Sequence, residues 1–368
     1  MPIPPARFVA DARPIAAERL DGLAAAIDRV ADGAAPSHRF LRYGWYAAAL
    51  RAYGGAARTL IVRRAGEAVI ALPFVPVGPA AIGLATVPGC YWPFRSFPVR
   101  RDAVDDAAVG EALLDALGRS VRALRLGPVM DGDPALMLLR TAAAARGWVA
   151  IDRFVADSYL LDMAAMQAAG CWPRNSTLRK NRSHEKHLAA EGTLDWQFCS
   201  GADWGPALFE SLATIEQRSW IAARTDGRDA KFTAQGHGAF WRAAAADPVL
   251  AATMSAALLR VDGAPVAFSF DLDAGALRYA IANSYDPAFA RYSPGKLLQY
   301  RNLTRAVAAG IERVDWGAGD SGYKREIGAE QGAAIRDWLF FRPGAGAMAG
   351  RLLRRRWARS GNAPALAD

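Results

Sequence analysis

Residues 278–324 constrain this chain more than any other stretch. They read RYAIANSYDPAFARYSPGKLLQYRNLTRAVAAGIERVDWGAGDSGYK. Residues 277–285 carry a strand pattern, and a polar turn follows. Ser293-Pro294-Gly295 then opens a long amphipathic helix. A second short strand, residues 313–316, leads into a glycine-rich turn that ends in Tyr323-Lys324. Strand, helix, strand is a βαβ unit, which needs two parallel strands and a crossover. The helix start has chemical content of its own. Serine is a good N-cap, proline fits the first helical position, and glycine lets a ligand approach the backbone. Unpaired N–H groups and the positive end of the helix dipole attract phosphate there. Lys296 adds a point charge. The same three residues are also ordinary helix punctuation.

Several further segments stand in order upstream: LRKNRSHEKHLAAEGTLDWQF, ATIEQRSW and LLRVDGAPVAFSFDL. With SYDPAFARYSPGKLL and VDWGAGDSGYK they resemble the acetyltransferase domain of the GNAT superfamily found in cellulose- and exopolysaccharide-associated (CelD-like) proteins. Bacterial ceramide synthases are related to that family. The resemblance covers roughly residues 150–330. It implies an acyl-CoA donor, bound around Tyr292, Ser293, Pro294, Gly295, Lys296 and Leu297, with Arg179 and Arg182 near its phosphates. One departure stands out. The usual pyrophosphate loop is Q/R-x-x-G-x-G/A, and counting from Arg291 its glycine positions hold Pro294 and Lys296, leaving only Gly295.

The first half also alternates strand and helix. Residues 58–62 and 68–75 read as a hairpin about Ala65-Gly66-Glu67, and residues 82–87 as a further strand. Residues 106–118 and 134–147 read as helices, 121–126 and 148–161 as strands, and the alanine-rich residues 13–31 as a helix. No sequence repeat relates the halves. The layout resembles that of Fem-type proteins, which carry two GNAT-like halves. The expected fold is therefore α/β: two GNAT-like halves, each a mixed twisted sheet flanked by helices. The expected boundaries are 1–160, 161–342, and a basic tail over 343–368.

Composition bounds the partners. The chain has 368 residues, 52% hydrophobic and 22% charged, which is a globular composition with room for a sizeable core. A net charge of +9 favours anionic partners such as CoA phosphates, an anionic membrane surface or nucleic acid. Three scattered cysteines suggest a reducing compartment, with neither a disulfide framework nor a zinc site. His184, Glu185 and His187 lack the spacing of a metal motif, so no metal is expected. The uncharged run 68–94 matches a bilayer in length, but Pro73, Pro76, Pro79, Pro88 and Pro93 interrupt it. The N-terminus lacks the continuous apolar core of a signal peptide. The aromatic segment Gly89 to Arg95 reads either as a core plug or as a wall of an acceptor pocket. In the tail, Leu352, Leu353 and Trp357 lie among Arg351, Arg354, Arg355, Arg356 and Arg359, a pattern that suits an anionic membrane surface. The resulting expectation is a cytoplasmic protein, peripheral at the inner membrane.

If the resemblance holds, the reaction is direct transfer of an acyl group from CoA to an amine. The acceptor is a long-chain lipid base or an amino sugar of envelope metabolism. No nucleophile elbow points to a covalent intermediate. The candidate groups lie at the carboxyl ends of the two parallel strands. Tyr323 is the candidate acid, Asp286 or Asp320 the base, and Lys324 a phosphate or carbonyl ligand, with Tyr285 beside them. Two alternatives stand: a Fem-like transferase using aminoacyl-tRNA, and a non-catalytic GNAT-fold scaffold. The absence of a coiled-coil arm between the halves weighs against the tRNA reading.

Overall fold

The computed structural model describes residues 14–90, 92–219, 230–233, 236–319 and 322–362. Its strands are β1 (Ile15–Asp21), β2 (Arg58–Arg64), β3 (Glu67–Val77), β4 (Leu84–Thr86), β5 (Ala123–Met130), β6 (Val149–Asp162), β7 (Leu194–Ser200), β8 (Met254–Val261), β9 (Ala264–Ala274), β10 (Leu277–Tyr285), β11 (Arg313–Ala318) and β12 (Glu330–Phe341). They form one sheet in the order β1-β2-β3-β4-β5-β12-β6-β11-β10-β9-β8-β7. Its helices are α1 (Ala26–Gly33), α2 (Tyr43–Tyr53), α3 (Ala107–Gly118), α4 (Pro134–Ala145), α5 (Met163–Ala168), α6 (Asn175–Leu188), α7 (Pro206–Arg218), α8 (His237–Ala245), α9 (Pro248–Thr253), α10 (Pro294–Ala308), α11 (Tyr323–Glu326) and α12 (Ala345–Arg359).

The strand order contains a repeat that the residue identities hide. Strands β1 to β5 and β7 to β11 follow the same path: antiparallel neighbours, then one parallel pair joined through a helix, β4-α3-β5 and β10-α10-β11. The sixth strands are exchanged. β6 pairs with β11 of the second half, and β12 returns to pair with β5 of the first. β6 and β12 also pair with each other at the centre. The halves are thus stitched into one continuous sheet across residues 149–162 and 330–341.

Each element has a local cause. Asp262 and Gly263 both take positive φ, 47° and 78°, and join β8 to β9 in a tight hairpin. Asp106 and Asp133 cap α3 and α4, accepting from Val109 N and Leu136 N. One expectation fails at the N-terminus. Residues 15–21 form an edge strand against β2, not a helix, and α1 begins only at Ala26. Alanine favours helix, but cross-strand pairing of Ala17 with Val62 and Leu20 with Thr59 outweighs that weak preference.

An aromatic core spans the two halves. Trp45 of α2 meets Phe240 and Trp241 of α8 edge-on, at 4.8 and 5.8 Å between ring centroids. Phe40 and Phe94 meet Tyr279 of β10 at 6.0 and 5.7 Å. Buried polar groups also hold α10 to the sheet. Asn302 donates to Asp271 Oδ2 at 2.7 Å and accepts from Arg278 at 3.0 Å, while Arg278 makes a two-point pair with Asp273. Burial raises the Asp271 pKa to about 6 despite Arg278 beside it. Among the described residues no helix is long and apolar enough to cross a membrane.

Candidate active site

β10 and β11 touch only at their beginnings. They pair in parallel at Leu277 with Arg313, Arg278 with Val314 and Tyr279 with Asp315, and then part. Both strands are irregular at that point. β10 slips register against β9 between Ala280 and Ala282, and β11 slips against β6 between Asp315 and Ala318. Bulges bend a strand and increase its twist, which accounts for the divergence. Beyond it Ser284 Oγ and Trp316 Nε1 are buried and have no hydrogen-bond partner among the described residues.

Two contacts bridge the mouth of this wedge. Asn283 Nδ2 donates to the Tyr323 hydroxyl at 3.1 Å. Lys296, in the first turn of α10, pairs with Glu326 of α11 at 3.0 Å. Both ends of that pair are well exposed, so it holds the turn only weakly. Tyr323 lies edge-on to Trp316 at 6.0 Å. Asn283 did not stand out in the sequence. A polar residue two places before a strand end is a common sight, and only the geometry gives it a partner.

The start of α10 differs from the expectation. Ser293 is the capping residue by position, yet its side chain accepts no helix N–H, and its backbone is left-handed at φ 52°. The tight turn that feeds the helix forces this conformation. Pro287–Tyr292 forms a short 3₁₀ helix, and Ser293 N donates to Ala290 O at 3.0 Å. The N–H groups of Gly295 and Lys296 meet no acceptor among the described residues. A Cβ at Gly295 would lie 3.1 Å from the Tyr285 ring, so a side chain there would have to displace that exposed ring by a few tenths of an ångström. Pro294 and Leu297 are buried beneath the turn, and the Tyr292 hydroxyl bonds Glu191. Tyr285 is exposed at the end of β10.

The remaining candidates have specific partners. Asp286 caps the 3₁₀ helix, Oδ1 accepting from Ala288 N at 3.0 Å, and Oδ2 lies 3.4 Å from Arg218. Lys324 is buried and donates to the carbonyls of Gly317, Ala318 and Gly319 at 3.1, 3.1 and 2.6 Å. It braces the end of β11. Asp320 lies outside the described residues. Arg182 lines a cleft of about 430 Å³ between α6 and α10, together with Phe198, Arg301 and Arg305, and Leu297 reaches the same cleft. Arg179 is exposed on α6. Asp315, at the point of divergence, is buried and accepts from Gly317 N at 2.8 Å, and desolvation raises its pKa to about 6 while Lys324 pulls the other way.

The first half reaches this site through its aromatic segment. Trp92 is buried, and its ring covers the backbone of Gly317, where a Cβ would come within 2.7 Å. Gly317 also needs its glycine for a φ of 71°. Trp92 is therefore a core residue and at the same time a cover on the end of β11.

Residues 175–325 match the family described as "Acetyltransferase (GNAT) domain". No protein of curated function matches the chain. Among solved structures, FemX aligns with a TM-score of 0.58 at 12% identity, over 92% of this chain and 100% of FemX. A conserved protein of unknown function from Bacteroides thetaiotaomicron aligns with a TM-score of 0.54 at 12% identity, over 86% of this chain and 96% of the other. The C-terminal domain assigned to a lysylphosphatidylglycerol synthetase of Agrobacterium fabrum aligns at 0.53 and 15% identity, over 89% and 92%. At these identities the likeness is one of fold. It covers 86–92% of this chain, well beyond the matched segment. Residues 175–325 thus match a GNAT acetyltransferase domain, and the chain around them has a mixed α/β fold similar to that of FemX.

Proposed function

We propose that the second half transfers an acyl group from a CoA thioester to an amine acceptor. The observation that carries this reading is the wedge between β10 and β11, which opens beside the uncapped start of α10. An extended chain bearing amides can pair with strand edges that have parted, as a peptide adds to a sheet edge. The amides of a pantetheine arm have that character. The N–H groups of Gly295 and Lys296 with the Lys296 ammonium would take the diphosphate. The exposed Lys296–Glu326 pair can open to admit it, since such pairs contribute little.

In this reading the neutral amine attacks the thioester carbonyl. The carbon–sulfur bond breaks, the amine gives its proton to water, and the leaving thiolate takes a proton from the Tyr323 hydroxyl. Asn283 is a positioning residue that holds that hydroxyl at the mouth of the wedge. Asp286 keeps the β10–α10 turn in shape through its cap, and Lys324 holds the end of β11 through the carbonyls of Gly317, Ala318 and Gly319. The acceptor we favour is a lipid base or an amino sugar.

Thermal unfolding with CoA, acetyl-CoA and palmitoyl-CoA tests the donor. A ligand at about 100 times its Kd adds about 2.7 kcal/mol to the folded state and raises the Tm. A shift that depends on chain length supports the reading and selects lipid amines or amino sugars as the next acceptors to try. Tyr323→Phe should keep the shift and lower turnover by about 10²-fold or more. No shift with any thioester sinks the proposal, and salt-sensitive binding of charged tRNA would replace it.

A further inference from the structure

The last helix is fixed to the sheet by the residue expected to reach outward. Trp357 turns inward, donates Nε1 to Asp337 O at 3.2 Å, and lies under the guanidinium of Arg153 at 4.2 Å. Gly350 lets the helix approach Phe341, where a Cβ would come within 2.7 Å. Beyond the helix, Asn362 bonds the carbonyls of Phe154 and Val155 at 3.0 and 2.6 Å. With that face anchored, α12 cannot roll to bury its other side. Leu352 is 78% exposed, Met348 63% and Leu353 42%. Around them stand Arg351, Arg354, Arg355, Arg356 and Arg359, and α12 contains no acidic residue. None of the five guanidinium groups meets a carboxylate among the described residues.

A second apolar projection lies next to the start of this helix. The β3–β4 loop, residues 78–83, is uncharged, and Ile82 is 57% exposed at its tip. Arg122 connects the two: Nη1 donates to Ala81 O at 2.9 Å, and its carbonyl lies 3.4 Å from a Cβ built on Gly346. Leu84, just past the loop, packs in the same cluster as Ala347 and Trp357.

We infer that this chain docks on an anionic lipid bilayer through α12 and the adjoining β3–β4 loop. Two features must be explained together: five exposed arginines with no carboxylate partner among the described residues, and large apolar side chains held in water among and beside them. The headgroup region of an anionic bilayer accommodates both, taking apolar side chains at the acyl boundary and cations at the surface. Nucleic acid would satisfy the arginines and leave Leu352, Met348 and Ile82 in water. A second copy of the chain would set two arginine-rich faces against each other. The inference is independent of the chemistry proposed for the wedge.

Cosedimentation of the full chain with vesicles tests it. One set is phosphatidylcholine alone, and in the other a third of the lipid is phosphatidylglycerol. Binding is expected to the second set, weakened by salt, with about a fivefold loss for each of Arg355→Gln and Arg356→Gln. Leu352→Asn and Ile82→Asn should each weaken it by about tenfold. All four side chains are exposed, so an unchanged Tm verifies that the variants fold. Absence of binding to anionic vesicles at low salt overturns the inference. So does binding that depends on the arginines but not on Leu352 or Ile82, which would mark a general polyanion surface. Self-association abolished by Leu352→Asn would also overturn it.

Discussion

In the first half β4 and β5 run parallel through α3, and in the second β10 and β11 run parallel through α10. Each pair touches over the same short register, Leu84 to Thr86 on Ala123 to Arg125, and Leu277 to Tyr279 on Arg313 to Asp315. The helix starts differ. α3 is closed by Asp106, which accepts from Val109 N at 3.2 Å and pairs with Arg64 at 2.9 Å. α10 begins at Ser293 with no side-chain cap. A carboxylate at a helix start uses an orphan donor and repels an anion, whereas a bare start attracts one. The connections differ too. The long first-half segment turns Trp92 and Phe94 into the core, while the short second-half turn leaves β10 and β11 apart. A shared topology thus supplies two equivalent positions, and in the proposed reading the first turn of each helix selects the one that takes a phosphate.

The largest effect is expected where the halves are stitched. Asp337 of β12 is buried and accepts from Arg125 of β5 at 2.9 and 2.6 Å and from Arg153 of β6 at 3.1 and 2.8 Å. Asp337→Ala leaves two guanidinium groups against the sheet with no counter-charge. Asp337 is buried but both guanidinium groups are partly exposed, which puts the loss in the lower part of the range for a broken buried pair, about 3–4 kcal/mol. A denaturant midpoint that falls by much less would mean that the exchanged strands are held by backbone pairing alone.

The next effect contrasts two matched positions. Arg125 and Asp315 take the same place in the two parallel pairs, yet Arg125 has a carboxylate partner, while Asp315 is buried with Gly317 N and the nearby Lys324 as its partners among the described residues. Its pKa rises from 3.8 to about 6. A carboxyl with a raised pKa binds its proton more tightly in the folded chain than in the unfolded one. Its contribution therefore favours folding at acid pH and is lost as pH rises from about 4 to 6. The loss is on the order of 3 kcal/mol at 1.36 kcal/mol per unit. Asp315→Asn should flatten stability against pH in that window and raise the Tm at pH 8. Asp271, shifted in the same direction, leaves a residual slope. A variant with an unchanged pH profile would show that Lys324 already compensates the charge.

Much of this was legible in the residues, and the reasons are local. The βαβ unit, the Asp262-Gly263 hairpin and the Asp106 and Pro134 helix starts each follow from side-chain chemistry within a few residues. What escaped was set by distant partners. Residues 15–21 are a strand because β2 offers an edge. Trp357 faces inward because Asp337 and Arg153 receive it, so the exposed apolar residues of the tail are Met348, Leu352 and Leu353 rather than Leu352, Leu353 and Trp357. At the site, Tyr323 follows from its resemblance to the GNAT arrangement, Tyr285 from its place at a strand end and Gly295 from the helix start. The role of Asn283 and the cover that Trp92 places on Gly317 arise from strands that meet only in the folded sheet.

The comparison of helix starts can be reversed by exchanging their chemistry. Ser293→Asp installs in the second half the carboxylate that the first half already has. Aspartate tolerates the left-handed backbone at this position, so the fold should survive. The new charge stands at the helix start beside the N–H groups of Gly295 and Lys296, so CoA should bind about tenfold more weakly or worse, with a Tm unchanged or slightly higher because an acid suits a helix start. Asp106→Ala is the counterpart and the smallest effect. It opens α3, leaves Arg64 with Asp102 alone, and should lower stability by about 1 kcal/mol without altering CoA binding. If Asp106→Ala weakened CoA binding as much as Ser293→Asp, the donor would have to lie against the first half, and the asymmetry between the two helix starts would not be what selects the site.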